Sequence, residues 1–190
     1  GALMLTKQFH IEGPLLIASP VHQDKRGYFM ESFHARKLID VIGFDPMFVQ
    51  DNLSNSSKAG TLRGLHLQKP PFAQSKLVHC ITGAALDIMV DVRCGSPTYG
   101  ESISTVLSAK DGQTLWIPEG FLHGFLTRED NTVLTYKTSA HYNKDSDITV
   151  RWGDPDLRLA WGVNGAPILS SKDANAISFA DFSSPFALTS

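Results

Sequence analysis

The chain has 190 residues, a length that fits one domain, with 42% hydrophobic and 19% charged residues. That balance supports a packed core and excludes a disordered chain. A net charge of -2 and a pI near 6.4 argue against a general nucleic-acid binder and leave room only for a local basic pocket.

In chain order, Gly1–Ala2 ahead of Leu3–Met4 reads as an expression remnant. Residues 15–20 (LLIASP) read as a short strand closed by proline. Residues 22–31 (HQDKRGYFME) form a turn at Gly27 with aromatic residues leading out. In residues 32–42 (SFHARKLIDVI), Phe33, Leu38, Val41 and Ile42 have the spacing of one short helix, with Ser32 as cap and Gly43 as stop. Residues 48–52 (FVQDN) read as a strand that runs into the polar loop SNSSKAG.

Thr61 to Lys76, TLRGLHLQKPPFAQSK, is the stretch around which the chemistry gathers. As a strand it sends Arg63 and His66 to opposite faces unless a bulge at Gly64 re-aims one of them. Pro70–Pro71 then ends the strand, because proline has no N–H for a ladder. His66 and Lys76, on connected strands, suit a base and an oxyanion partner. They also suit a structural histidine at a strand end and a solvated lysine.

Beyond this point short strands are expected at 77–81, 85–92, 101–107, 114–117, 121–126, 132–138 and 148–152, separated by turn signals such as ITG, GSPTYG, AKDGQ and PEG. The pattern predicts an all-β sandwich or barrel of antiparallel strands, of jelly-roll type, with short peripheral helices. No long helices intervene, so a parallel α/β sheet is disfavoured. One domain is expected over 1–190, with an N-terminal arm of about residues 1–20 and a tail of about 174–190 that packs on the surface or frays. Cys80 and Cys94 form no CxxC pair and no disulfide framework, which fits a reducing cytoplasm. No signal peptide is visible and no stretch reaches the ~18–20 apolar residues of a membrane span.

Within Trp116–Phe125, WIPEGFLHGF, the pattern Pro-x-Gly-x-x-His resembles the second motif of the cupin superfamily, whose metal-binding members use that histidine as a ligand. The matching first motif here is His66-Leu67-Gln68, not His-x-His. His66 and His123 alone fall short of the three or four ligands a first-row metal needs, so no metal is expected. Tyr136 and Tyr142 in LTYKTSAHY could both face inward, as a general acid and its neighbour or as ordinary strand aromatics. Asp173 in LSSKD could orient a histidine or sit at a helix cap. Arg26, Phe29 and Glu31 suit a nucleoside diphosphate, with a planar fork for phosphate and a ring to stack on a base. There is no Walker A and no GxGxxG motif, which leaves a nucleoside triphosphatase or dinucleotide oxidoreductase unsupported.

The strings DKRGYFME, FVQDNLS, LRGLHLQ, AQSKLV, VDVRCGSPTYG, WIPEGFLHGF, the Tyr136–Lys137 pair and LSSKD occur in this order. Together they resemble the dTDP-4-dehydrorhamnose 3,5-epimerase family. The resemblance implies a cupin-type jelly roll, a cytoplasmic homodimer, and neither metal nor organic cofactor. It implies inversion at C3 and C5 of dTDP-4-keto-6-deoxyglucose, giving dTDP-4-keto-L-rhamnose for dTDP-L-rhamnose biosynthesis. By motif, His66 would be the base, Asp173 its orienting partner, Lys76 the enolate partner and Tyr136 the acid on the opposite face. Arg26, Phe29, Glu31, Gln50, Asn52, Arg63, Tyr142 and Lys172 match positions that bind sugar, diphosphate or base, and His123 matches another pocket position. The dimer would form by lending LLIASP to a neighbour's sheet.

Two departures stand out. Leu67 replaces an aromatic residue, which implies a wider pocket, and His79–Cys80 are more polar than usual. An epimerase acting at one carbon, or on another nucleotide sugar, would use the same groups. A non-catalytic cupin binding module would lack at least one of His66, Lys76, Tyr136 and Asp173.

Overall fold

The computed structural model describes residues 5–188, so the remnant read at Gly1–Ala2 lies outside the described residues. The first elements are β1 (Leu5–Gln8), β2 (Leu15–Ala18), β3 (Val21–Asp24), β4 (Gly27–Met30), α1 (Ala35–Ile42) and β5 (Gln50–Ser56). β6 (Leu62–Gln68), β7 (Lys76–Thr82), β8 (Ala84–Asp91), β9 (Arg93–Cys94) and β10 (Ser102–Ser108) follow. β11 (Gln113–Ile117), β12 (Phe121–Thr127), β13 (Thr132–Thr138), β14 (Asp147–Thr149), α2 (Ser171–Ala174) and β15 (Phe186–Ala187) complete the chain.

Two antiparallel sheets carry the fold. One has six strands in the order β1-β2-β11-β7-β13-β5, and the other has five in the order β10-β8-β12-β6-β14. Their alternating apolar residues meet in one core. Leu16, Val78, Leu115, Ile117 and Leu134 come from the first sheet, and Ala85, Met89, Ile103, Leu107, Phe121 and Phe125 from the second. Neighbours in each sheet are far apart in sequence, as in a jelly roll.

β8 is buried along its whole length, because its outer face is covered as well. Leu86, Ile88 and Val90 pack under Leu157, Trp161 and Phe182 from the C-terminal segment. The expected tail therefore packs: Phe182 is buried, and β15 pairs in parallel with β9. On the outer face of the six-stranded sheet, α1 seats Leu38 against Ile17, Leu77 and Trp116. Its cap is His34, whose Nδ1 accepts from Lys37 N at 3.4 Å, and not Ser32. Gly43 ends it as expected, in the left-handed region at φ 88°, where its N–H bonds Ile39 O.

β2 is paired on both sides, with β1 and with β11. LLIASP thus belongs to its own sheet, and the edge left open at that side is β1. The β3–β4 hairpin turns at Lys25–Arg26 and carries Tyr28 and Phe29 on an exposed arm.

Candidate active site

A cavity of about 350 Å³ opens between the sheets, with walls from β6, β7, β12 and β13 and a lip from α2. β6 supplies both Arg63 and His66 to it. The register explains how: His66 pairs with His123 and Arg63 with Phe125, so three steps on β6 match two on β12. The extra residue is a bulge, centred on Gly64 at φ 130°. It turns Arg63 and His66 to the same face, while Leu62, Leu65 and Leu67 remain in the outer cluster. Leu67 therefore packs away from the cavity and does not widen it.

His66 Nε2 lies 2.6 Å from Asp173 Oδ1, and Gly64 N donates to Asp173 Oδ2 at 3.3 Å. Asp173 is buried in α2, whose N-cap Ser170 accepts from Asp173 N at 3.1 Å. Burial pushes the Asp173 carboxyl upward. The bonds from His66 and the Gly64 N–H outweigh that and hold it below the usual carboxylate range. An ionised Asp173 only accepts, so Nε2 of a neutral His66 carries the proton and Nδ1 is the free base.

Lys76, from the start of β7, is among the cavity-lining residues, and burial brings its ammonium down to about 8. Tyr136, from β13, is half-buried, and burial pushes its phenol above the usual value, so it stays an O–H donor at neutral pH. His123 is buried at the cavity floor with Nε2 on Asp87 Oδ1, and burial lowers its imidazolium despite that partner. The two cavity histidines thus each have their own carboxylate. Among the described residues no three His, Cys, Asp or Glu side chains cluster as metal ligands.

Arg63 donates to Asn55 O at 3.1 Å, which anchors its guanidinium along the wall. At the mouth, Lys172 bonds Asp147, and Tyr142 Oη donates to the same carboxylate at 3.2 Å. Tyr142 is exposed at this rim and does not face inward. Gln50 bonds Asn52 Oδ1 at 2.9 Å and accepts from Tyr142 N at 3.0 Å, which ties β5 to the rim.

Comparison with known proteins identifies the arrangement. A family profile described as dTDP-4-dehydrorhamnose 3,5-epimerase matches residues 8–181. The chain belongs to that family. A dTDP-4-dehydrorhamnose 3,5-epimerase of Shigella flexneri is 44% identical, covering 88% of this chain and 91% of its own. A Legionella pneumophila dTDP-6-deoxy-D-glucose-3,5-epimerase, solved with dTDP-4-keto-L-rhamnose, is 35% identical over 95% of each chain, with a TM-score of 0.91. A Streptomyces bikiniensis 3'-monoepimerase, solved with dTDP-quinovose, is 34% identical over 90% of this chain and 86% of its own, with a TM-score of 0.86.

As a member of this epimerase family the protein is an isomerase with the cupin-type jelly roll that its motifs implied. The fold brings His66, Lys76, His123, Tyr136, Arg63, Lys172 and Asp173 to one cavity. It does not bring Arg26, Phe29 and Glu31 there. Arg26 is paired with Asp24, Glu31 bonds Lys37 at 2.6 Å, and Phe29 is 71% exposed beside a separate groove on the outer face of the six-stranded sheet. His79 lines that outer groove and Cys80 lies in the core, so neither touches the cavity.

Sequence reasoning missed Asp87, Asp147 and Ser170. Asp87 had a signal, an acidic residue inside the apolar run AALDIMVD. Asp147 and Ser170 had none, since an acid in a polar loop and a serine before a helix are ordinary.

Proposed function

We propose that the protein inverts C3 and C5 of dTDP-4-keto-6-deoxyglucose, giving dTDP-4-keto-L-rhamnose for dTDP-L-rhamnose biosynthesis, with no metal or organic cofactor. One relationship carries the reading: His66 stands on the five-stranded sheet and Tyr136 on the six-stranded sheet, so they approach the cavity from opposing walls. Inversion needs a base on one face of the ring and an acid on the other, and a sugar held between the sheets would meet both.

In this reading His66 Nδ1 removes the proton alpha to the C4 ketone, and the electron pair passes to the carbonyl oxygen. The Lys76 ammonium stabilises that oxygen as charge develops. Asp173 holds the imidazole and balances the imidazolium that forms. Tyr136 then protonates the carbon from the other face, and solvent resets both groups. Arg63 and Lys172, with Gln50, Asn52 and Tyr142 at the rim, would hold the diphosphate and nucleoside, and His123 the sugar.

A homodimer is part of the proposal. The exposed hairpin with Arg26, Phe29 and Glu31 faces away from its own cavity, and a second copy would give it a site to complete. The two free cysteines fit a cytoplasmic protein, and no described helix is long and apolar enough to cross a membrane.

A one-carbon epimerase is the second reading, favoured by the likeness to the Streptomyces 3'-monoepimerase. Incubation with dTDP-4-keto-6-deoxyglucose in D2O separates the two. Loss of both the C3 and C5 proton signals supports the double inversion, and loss of one alone supports the second reading. No exchange would overturn both for this substrate.

A further inference from the structure

The connection between β13 and β14 crosses from the six-stranded sheet to the five-stranded one and carries Tyr142 to the cavity rim. Glutamine side chains bond its backbone at four successive residues. Gln74 Nε2 donates to Ala140 O at 2.8 Å, and Gln68 Nε2 donates to His141 O at 3.1 Å. Gln50 Oε1 accepts from Tyr142 N at 3.0 Å, and Gln68 Oε1 accepts from Asn143 N at 2.8 Å. The three glutamines come from the start of β5, the end of β6 and the β6–β7 connection, so both sheets hold the loop. Gln68 is 3% exposed, and its second amide N–H donates to Phe72 O at 2.7 Å. Both of its donors and its acceptor are therefore engaged within the protein.

A loop at the surface can leave such backbone groups to water. Here ordered side chains take them, and each gives up rotamer freedom to do so. The result is the placement of Tyr142. Gln50 holds its backbone N–H, its Oη donates to Asp147 at 3.2 Å, and the residue is still 59% exposed. An aromatic ring that is fixed and exposed loses little freedom when a ligand meets it.

We propose that Gln68 and Gln74 are positioning residues for nucleotide binding: with Gln50 they clamp residues 140–143 from both sheets and preset the Tyr142 ring at the mouth. Neither Gln68 nor Gln74 lines the cavity, so affinity for the nucleoside diphosphate depends on side chains that act through another residue. The inference deepens the proposed function and rests on Tyr142 as a nucleoside contact.

The test is a double-mutant cycle on dTDP binding, measured by calorimetry on the full chain with Gln68→Met, Tyr142→Ala and the pair together. Gln68→Met keeps the side-chain length and removes all three bonds. It should weaken dTDP binding about 3- to 30-fold, and Tyr142→Ala should weaken it at least as much. The double variant should bind no more weakly than Tyr142→Ala alone, because the clamp works through that ring. With substrate, Gln68→Met should raise KM and keep kcat within about two-fold. Losses that add in the double variant, or a dTDP affinity that Gln68→Met leaves unchanged, would overturn the inference and leave Gln68 a residue of the fold alone. Gln74→Met decides the matter if Gln68→Met fails to fold, since it removes one bond from a half-buried side chain. It should weaken dTDP about 2- to 5-fold, again only while Tyr142 is present, and additive losses there would equally overturn the inference. Binding of dTDP needs no turnover. An intact coupling with no exchange in D2O would remove the epimerase reading alone, and a wild-type protein that does not bind dTDP would overturn both.

Discussion

Arg63 and His66 lie three residues apart on one strand and face the same cavity, because two residues of β12 span the distance that three of β6 cover. Gly64 makes this possible. A Cβ built there would stand 2.6 Å from Gly124 Cα and 2.8 Å from His123 O, both backbone atoms that cannot step aside. Its φ of 130° is also closed to other residues. Gly64→Ala should therefore push β6 off β12 and move His66 from Asp173. We expect a loss of about 1–3 kcal/mol in a denaturant titration. Activity should fall further than the lost folded fraction explains. An alanine variant of wild-type stability and rate would mean that the bulge does not set the site.

The His66–Asp173 pair gives the second prediction. Asp173 is buried behind the ring, bonded by His66 Nε2 and the Gly64 N–H. Asp173→Asn keeps the shape and removes the charge that fixes the tautomer. A drop in kcat of about 10²–10⁴ is expected, the range for loss of an oriented general base. Binding of dTDP by calorimetry should be unchanged, because Asp173 does not reach the mouth. Weaker dTDP binding with kcat intact would assign Asp173 to substrate binding instead.

Asp91 sets a third expectation, on stability rather than catalysis. Its carboxylate is buried and accepts from Arg93 Nε and Nη2, Ser96 Oγ and Thr98 Oγ1 at 2.6–2.9 Å. Arg93 also lies over the Phe121 ring at 4.6 Å and donates to Glu12 O at 3.0 Å, so the cluster ties the 91–100 turn to the N-terminal segment. Burial pushes this carboxyl up, but the hydrogen bonds prevail and bring it to about 2. The folded value lies below the unfolded one near 3.8, so its stability is present above that value and is lost as pH falls toward 2. Asp91→Asn should remove about 2–3 kcal/mol at pH 7 and little at pH 2. Equal losses at both pH values would assign the effect to packing.

The exposed hairpin yields a fourth. If Phe29 and Arg26 of one copy complete the cavity of another, two inactive variants should rescue each other. His66→Ala has a dead cavity and an intact hairpin, and Arg26→Ala/Phe29→Ala has the reverse. Mixed and allowed to exchange subunits, they should regain activity that neither has alone. No recovery, with exchange confirmed by native mass spectrometry, would leave the hairpin outside the site.

The strands and turns were legible because strand alternation and Gly or Pro punctuation are local signals. β8, β12 and β13 fall within a residue or two of where the pattern put them. The cavity set was legible through family motifs, since no local pattern joins Asp173 to His66 across 107 residues. What stayed hidden depends on tertiary partners. The helix cap passed from Ser32 to His34 because packing of Leu38 on Ile17, Leu77 and Trp116 fixes where the helix begins. Leu67 was read as a pocket residue, but the bulge at Gly64 sends it to the outer cluster. Arg26, Phe29 and Glu31 match family motifs, but the β3–β4 hairpin carries Arg26 and Phe29 on an exposed arm outside this chain's cavity and Lys37 holds Glu31, placements that no local pattern announces.

Tyr136→Phe tests the division of labour between the two walls. The phenol is half-buried, and burial raises its value above the ordinary one, so the O–H persists through the neutral range. As the acid it acts only after His66 has taken a proton. Removing it should therefore slow formation of the inverted product while deuterium from D2O still enters the substrate, because the enolate forms and is reprotonated on the His66 face. The measurable signature is a ratio: exchange into recovered substrate should rise relative to inversion. Arg63 pulls the phenol downward and is anchored to Asn55 O, so Arg63→Gln should leave exchange intact and raise KM more than it lowers kcat. If Tyr136→Phe abolishes exchange as well as inversion, the phenol takes part in removing the proton, and the base and acid must be reassigned between the two walls.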